Sequence, residues 1–174
     1  MDLHRTLGVE LPLIQAPMAG AQGSALAIAV CNAGGLGSLP CAMLDGTAMR
    51  REIAAIRAAT ARPFNLNFFC HAPPAADAAR EAAWRGALAP YYRELGLDLA
   101  GVPARAGRIP FDAAAAAIVE ELRPAVVSFH FGLPEAALLA RVRATGARVL
   151  ASATTVAEAR WLEERGADAV IAQG

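Results

Sequence analysis

The sequence predicts an α/β chain of the (β/α)8 barrel type, with about the first six βα units present. Six short apolar runs, Leu13–Ala16, Leu36–Leu39, Phe64–Phe69, Ala125–Phe129, Arg148–Ala153 and Ala169–Ala172, alternate with segments of helical pattern. That order builds a parallel sheet with right-handed crossovers. Polar residues gather where the runs end: Gln15, Ser38, Asn67, Ser128, His130, Ser152 and Gln173. A barrel collects its chemistry at that C-terminal face. The rival architecture is a doubly wound dinucleotide-binding sheet, which needs its glycines directly after a strand. Here Gly34-Gly35-Leu36-Gly37 precedes a strand and misses the fingerprint spacing.

Residues 1–12 form an entry segment expected to plug or cross the bottom of the barrel. Leu13–Ala16 reads as a buried strand that ends at Pro17, because proline has no N–H to give the ladder. Met18 to Gly23 is a turn of small residues where backbone can come close to a ligand. Ser24 is expected to cap a helix over Ala25–Ala33 that is apolar all round and stops at Gly34-Gly35. After the strand Leu36–Leu39, Asp45 caps a helix with Met49, Ile53 and Ile56 on one face. Phe64–Phe69 is framed by Pro63 and by Pro73-Pro74. A helical stretch follows from about Ala75 to Leu95, with Trp84, Leu88 and Leu95 on its apolar side, and Pro90 should kink or split it.

Leu97–Pro110 is irregular, and Asp112 then caps an alanine-rich helix that ends before Pro124. The strand Ala125–Phe129 leads to Pro134, expected at a first helical position. Leu138, Leu139 and Val142 make that helix's inner face, and Gly146 ends it. Beyond the strand Arg148–Ala153, Thr155 and Glu158 have the spacing of a capping box for a helix that runs to Gly166. Ala169–Ala172 is the last strand.

The chain has 174 residues, whereas a complete barrel needs roughly 200–250 or more. The expectation is one domain, or the N-terminal part of one, whose remaining strands lie outside these residues. Leu13–Ala16 and Ala169–Ala172 would then be open sheet edges, and the chain alone is not expected to be a self-sufficient enzyme. A hydrophobic content of 56% against 18% charge is enough for a large core. No apolar run reaches the roughly 18 residues of a membrane span, and the N-terminus leads into no signal-peptide core, so the expected location is the cytoplasm.

Net charge is zero and the arginines are scattered, which excludes a nucleic-acid surface. All 16 basic residues are arginine, which excludes Schiff-base chemistry and a P-loop. Cys31, Cys41 and Cys70 show no Cys-x-x-Cys spacing and no paired histidines, so neither a zinc site nor a disulfide framework is expected, and no metal. Cys41 and Cys70 each follow a strand end, within reach of a ligand there.

Gln-Ala-Pro-Met at residues 15–18 and Ala-Gly-Gly-Leu-Gly at residues 33–37 carry a family resemblance, which returns at Pro63–Phe69, Val126–Gly132 and Ala169–Gly174. In these motifs the chain resembles the nitronate monooxygenases, formerly 2-nitropropane dioxygenases, which are FMN enzymes on a (β/α)8 barrel. The resemblance implies oxidation of small alkyl nitronates by molecular oxygen to a carbonyl compound and nitrite, with no nucleic acid or membrane as partner. A homo-oligomer is compatible with it.

The resemblance also implies that Ala16, Pro17 and Met18 meet the flavin through their main chain. Asn67, Gln173 and Gly174 complete the cofactor site, with Asn65, two residues away on the same face, as the fallback for Asn67; on the residues alone Asn67 also reads as a satisfied structural amide and Met18 as a core residue. The family's catalytic histidine lies in an Ala-Gly-Gly-His run beyond Gly174, and so does the barrel's usual phosphate site. Within this chain His130 is the catalytic candidate. Between two phenylalanines it is either a core residue bonded to a carbonyl or, beyond the strand, a group facing the substrate, and a side chain with an ordinary pKa near 6.5 suits an anionic nitronate. His71 has a weaker case, and His4 has none.

Three alternatives stay open. Flavin-dependent enoyl-acyl carrier protein reductases share the barrel and the glycine turns. Inosine-phosphate dehydrogenase relatives share the architecture, but their cysteine loop is not evident. A partial barrel that only binds or assembles would need no catalytic group.

Overall fold

The computed structural model describes residues 3–101 and 108–173. In chain order these form α1 (Leu3–Leu7), α2 (Ser24–Asn32), β1 (Gly37–Pro40), α3 (Gly46–Ala59), β2 (Phe64–Phe69) and α4 (Ala78–Glu94). Then come α5 (Ala113–Leu122), β3 (Val126–His130), α6 (Ala136–Ala144), β4 (Arg148–Ala153), α7 (Val156–Glu164) and β5 (Ala169–Ala172). All strand pairs are parallel, and the order across the sheet is β1-β2-β3-β4-β5. A doubly wound sheet would reverse direction at a switch point. Here each strand lies beside its predecessor, as in a barrel, and the α/β barrel-type expectation holds.

Alternation along each strand sorts the side chains into two layers. Leu39, Leu66, Phe68, Val127, Phe129, Val149 and Ala151 join the main core with Ile53 and Ile56 of α3, Val119 of α5, Val142 of α6 and Leu162 of α7. On the opposite face, Leu36, Val126 and Leu150 pack with Leu7 and Val9, and Ile14 and Ala169 lie against them. The entry segment therefore plugs the N-terminal end of the strands, as the sequence suggests. Above that plug the same face turns polar.

The first expected strand is much reduced. Leu13–Ala16 makes a single parallel bridge, Ile14 to Leu36. Gln15 N–H donates to the Leu36 carbonyl at 2.9 Å, and Leu36 N–H to the Leu13 carbonyl at 2.9 Å. The next rung would need an N–H from residue 17, which is proline. The Gln15 side chain takes over: its Oε1 accepts from Ser38 N–H at 3.2 Å, and its Nε2 donates to the Ser38 carbonyl at 3.2 Å.

Helix ends follow local chemistry with two corrections. Asp45 and Asp112 cap α3 and α5, accepting from Ala48 N–H and Ala115 N–H at 2.7 and 2.8 Å. Thr155 and Glu158 form the expected capping box on α7. Ser24 is the first residue of α2 and not its cap, which is Gly23. The Glu52 carboxylate of α3 accepts from the Ser24 amide at 3.1 Å and its hydroxyl at 2.6 Å, an anion at a helix N-terminus. Pro134 lies before α6, whose N-cap is Glu135.

The chain divides into two compact units, Met1–His71 with Arg108–Gly174, and Ala72–Gly107. The smaller unit carries α4, capped by Asp77 through Arg80 N–H at 3.0 Å. Pro90 does not split this helix, and none of its residues is buried, so Trp84, expected on an apolar inner side, is exposed. Among the described residues no helix is long and apolar enough to cross a membrane.

Candidate functional site

Asn65 and Asn67 are two residues apart on β2, so the pleat turns both to the polar face. Register then supplies their partner. Asn67 pairs with Ser128 across the β2–β3 ladder, and both amides converge on that hydroxyl: Asn65 Nδ2 donates to Ser128 Oγ at 2.8 Å and Asn67 Nδ2 at 2.9 Å. Asn65 Nδ2 also reaches Ser38 Oγ on β1 at 3.0 Å. Asn65 is 1% exposed and Asn67 5%. Burial at this depth requires such partners, and it makes the network stiff. Asn65 Oδ1 nevertheless has none.

This network floors a cavity of about 400 Å³ lined by Ala16, Pro17, Asn65, Asn67, Ser128, His130, Ser152 and Gln173, with Ile14, Phe69, Leu150 and Ile171 among its apolar walls. Of the residues expected at the site, Ala16, Pro17, Asn67, His130 and Gln173 thus line one concavity. Gln173 arrives there because its N–H continues the β4–β5 ladder to the Ala153 carbonyl at 2.9 Å. Gly174 lies outside the described residues.

Met18 stands apart from these residues. It is 49% exposed and does not line the cavity, and its carbonyl accepts from Ala21 N–H at 3.1 Å. The chain turns after Pro17, and the Met18 side chain lies outside the lining. The thiols are not at the cavity either. Burial pushes the Cys70 thiol up to about 12 and raises Cys41 further, which keeps both protonated and unreactive.

His130 ends β3. Its Nδ1 lies 2.5 Å from Ser152 Oγ on β4, so its partner is a hydroxyl and not the carbonyl a core histidine would use. Burial lowers its pKa and favours the neutral ring. Phe131 packs against it with centroids 3.9 Å apart and ring planes tilted by 48°, and Phe69 lies 5.6 Å away. Phe131 has φ 67°, a left-handed conformation uncommon for a bulky residue and often found at functional sites. A second concavity of about 560 Å³ meets the first at His130, Ser152 and Gln173 and extends to Thr154, Glu158 and Trp161. The two together form an open mouth at the C-terminal strand ends.

Ser128 and Gln15 hold the site together. Both stand out in the sequence as polar residues at strand ends, but neither is an expected cofactor ligand. Their signal is the two-residue alternation Asn65/Asn67 and Ser128/His130, which puts every second polar residue on one face. The cavity falls within the range of about 300–1,000 Å³ usual for ligand sites, with mostly apolar walls and few polar groups. Its buried acceptor Asn65 Oδ1 awaits a donor. These features fit the ring of a planar heterocyclic cofactor such as a flavin.

A family model described as nitronate monooxygenase matches residues 2–174. The nitronate monooxygenase of Paraburkholderia phytofirmans is 48% identical over 172 residues, covering 97% of this chain and 46% of that protein. That of Pseudomonas aeruginosa is 46% identical over 174 residues, covering 98% and 49%. The chain thus spans about half the length of the curated relatives it matches. Among solved structures, nitroalkane oxidase from Streptomyces ansochromogenes superposes with a TM-score of 0.86 at 38% identity, covering 99% of this chain and 48% of that one. FabK from Thermotoga maritima superposes with a TM-score of 0.71 at 24% identity, covering 99% and 43%, a likeness of fold alone.

Proposed function

This chain belongs to the nitronate monooxygenase family, and from that premise we propose that the protein oxidises alkyl nitronates with molecular oxygen to a carbonyl compound and nitrite, using FMN, in the cytoplasm. The observation that carries the proposal is the cavity lined by Ala16, Pro17, Asn67, His130 and Gln173. FMN, when bound, supplies the electron acceptor that the protein's side chains lack. The work of this chain is to bind, orient and exclude water.

Ala16 and Pro17 offer main chain at the rim. Met18 contributes by shaping the turn, with its side chain outside. Asn67 and Gln173 offer amides to the polar edge of the flavin ring, and Asn65 Oδ1 offers a buried acceptor. Phe69, Leu150 and Ile171 exclude water, which strengthens each of these polar contacts. His130, at the mouth, holds the nitronate anion.

The test uses the full-length protein. Asn67→Ala should weaken FMN binding by about 1–3 kcal/mol, the usual cost of unpairing a buried polar group. Equilibrium dialysis measures this, and unchanged retention counts against the assignment. His130→Asn should raise KM for an alkyl nitronate and leave the flavin spectrum intact. A lower melting temperature with unchanged kinetics would return His130 to a structural role. Reduction of a crotonyl thioester by NADH without nitronate oxidation would overturn the activity itself.

A further inference from the structure

We propose that Ser152 is a positioning residue that holds His130 in the tautomer protonated at Nε2, so that the ring presents an N–H donor to an anionic substrate oxygen at the cavity mouth. This rests on the reading above that a nitronate sits beside His130. The geometry comes from the β3–β4 ladder. Phe129 pairs with Ala151, so the next rung brings His130 and Ser152 together on the cavity face, where both are lining residues. Their 2.5 Å contact uses Nδ1, which leaves Nε2 as the nitrogen available to a ligand.

The direction of the proton follows from what each group can satisfy. A serine hydroxyl carries one proton, and a neutral imidazole has one donor nitrogen and one acceptor nitrogen. Nδ1 is the hydrogen-bond partner of Ser152 Oγ among the described residues. If Nδ1–H donated to Oγ, the hydroxyl proton would be left without a protein acceptor. If Oγ–H donates to Nδ1, its proton is used and the ring proton must sit on Nε2. A neutral His with Nε2–H can donate to a nitronate oxygen, whereas the other tautomer would present a lone pair to an anion and repel it. Phe131, tilted against the ring with centroids 3.9 Å apart, limits its rotation away from this bond.

The experiment is a long-range ¹H–¹⁵N correlation spectrum of the full-length protein labelled at histidine nitrogen, with His130 identified by its loss in His130→Asn. The expected pattern is a protonated Nε2 and a bare Nδ1 that accepts a hydrogen bond. Ser152→Ala should shift that pattern towards a tautomer mixture and raise KM for an alkyl nitronate about three- to tenfold with a smaller change in kcat, the scale of one lost hydrogen bond. Ser152→Thr should restore both. A protonated Nδ1 in the unmodified protein, or a His130 spectrum unchanged in Ser152→Ala, overturns the proposal. The unmodified spectrum decides the tautomer even where a variant fails to fold. The expected tautomer in a protein that oxidises no nitronate would leave the positioning intact and overturn the activity instead.

Discussion

His130 shows how one residue's surroundings decide its chemistry. Burial lowers its pKa below the ordinary histidine value, so the unfolded chain takes up the proton first as pH falls. Its contribution to folding stability is therefore whole above about pH 6.5 and declines as pH falls below that value. Urea titrations at pH 7.5 and 5.5 should show a drop in midpoint for the unmodified protein and a smaller drop for His130→Gln. Equal drops would mean that this ring does not couple to folding. The two asparagines teach a related lesson. A strand former as poor as asparagine within Phe-Asn-Leu-Asn-Phe-Phe marks a polar site, but only the shared Ser128 hydroxyl explains why both are needed.

At the scale of elements, the expected first strand is cut short by a single missing N–H at Pro17, and a side chain completes the rung. Gln15→Ala would strip the buried Ser38 N–H of its partner, at a cost of about 1–3 kcal/mol in unfolding free energy by denaturant titration. No change would mean that water accepts from the Ser38 N–H in place of Gln15 Oε1. Gly37 governs how closely α2 approaches β1. A Cβ there would run into the Ala27 carbonyl and lie 2.7 Å from Cys31 Sγ. Gly37→Ala should destabilise the protein by about 1–3 kcal/mol through overpacking, visible as a lower melting temperature. An unchanged melting temperature would show that α2 moves freely on the sheet.

For the molecule as a whole, the sequential strand order matters most, because it brings every strand's C-terminal end to one mouth. It also leaves β5 paired with β4 alone among the described residues, with Val170 36% and Ile171 37% exposed. Such an edge, without charge or proline, invites pairing with another chain. Residues 1–174 expressed alone should therefore self-associate in size-exclusion chromatography with light scattering, and Val170→Lys should reduce it. A monomer at all accessible concentrations would contradict this. The ion pairs Arg50–Glu121 and Arg141–Glu120, both at 2.6 Å, tie α3, α5 and α6 together at the surface. Exposed as they are, they add little to stability.

The sequence by itself determined the order of strands and helices, the caps at Asp45, Asp112 and Thr155, and the face on which the polar strand ends lie. All of these depend on spacings of a few residues, which the pleat and the helical turn convert directly into geometry. Tertiary structure alone decided that Asn65 shares a hydroxyl with Asn67, that Glu52 serves the start of α2, that Met18 points outside, and that Ser152 meets His130. The reason is separation along the chain: Asn65 and Ser128 are 63 residues apart, and His130 and Ser152 are 22 apart. Their meeting depends on the register of parallel strands, which crossover helices set and local pattern does not encode.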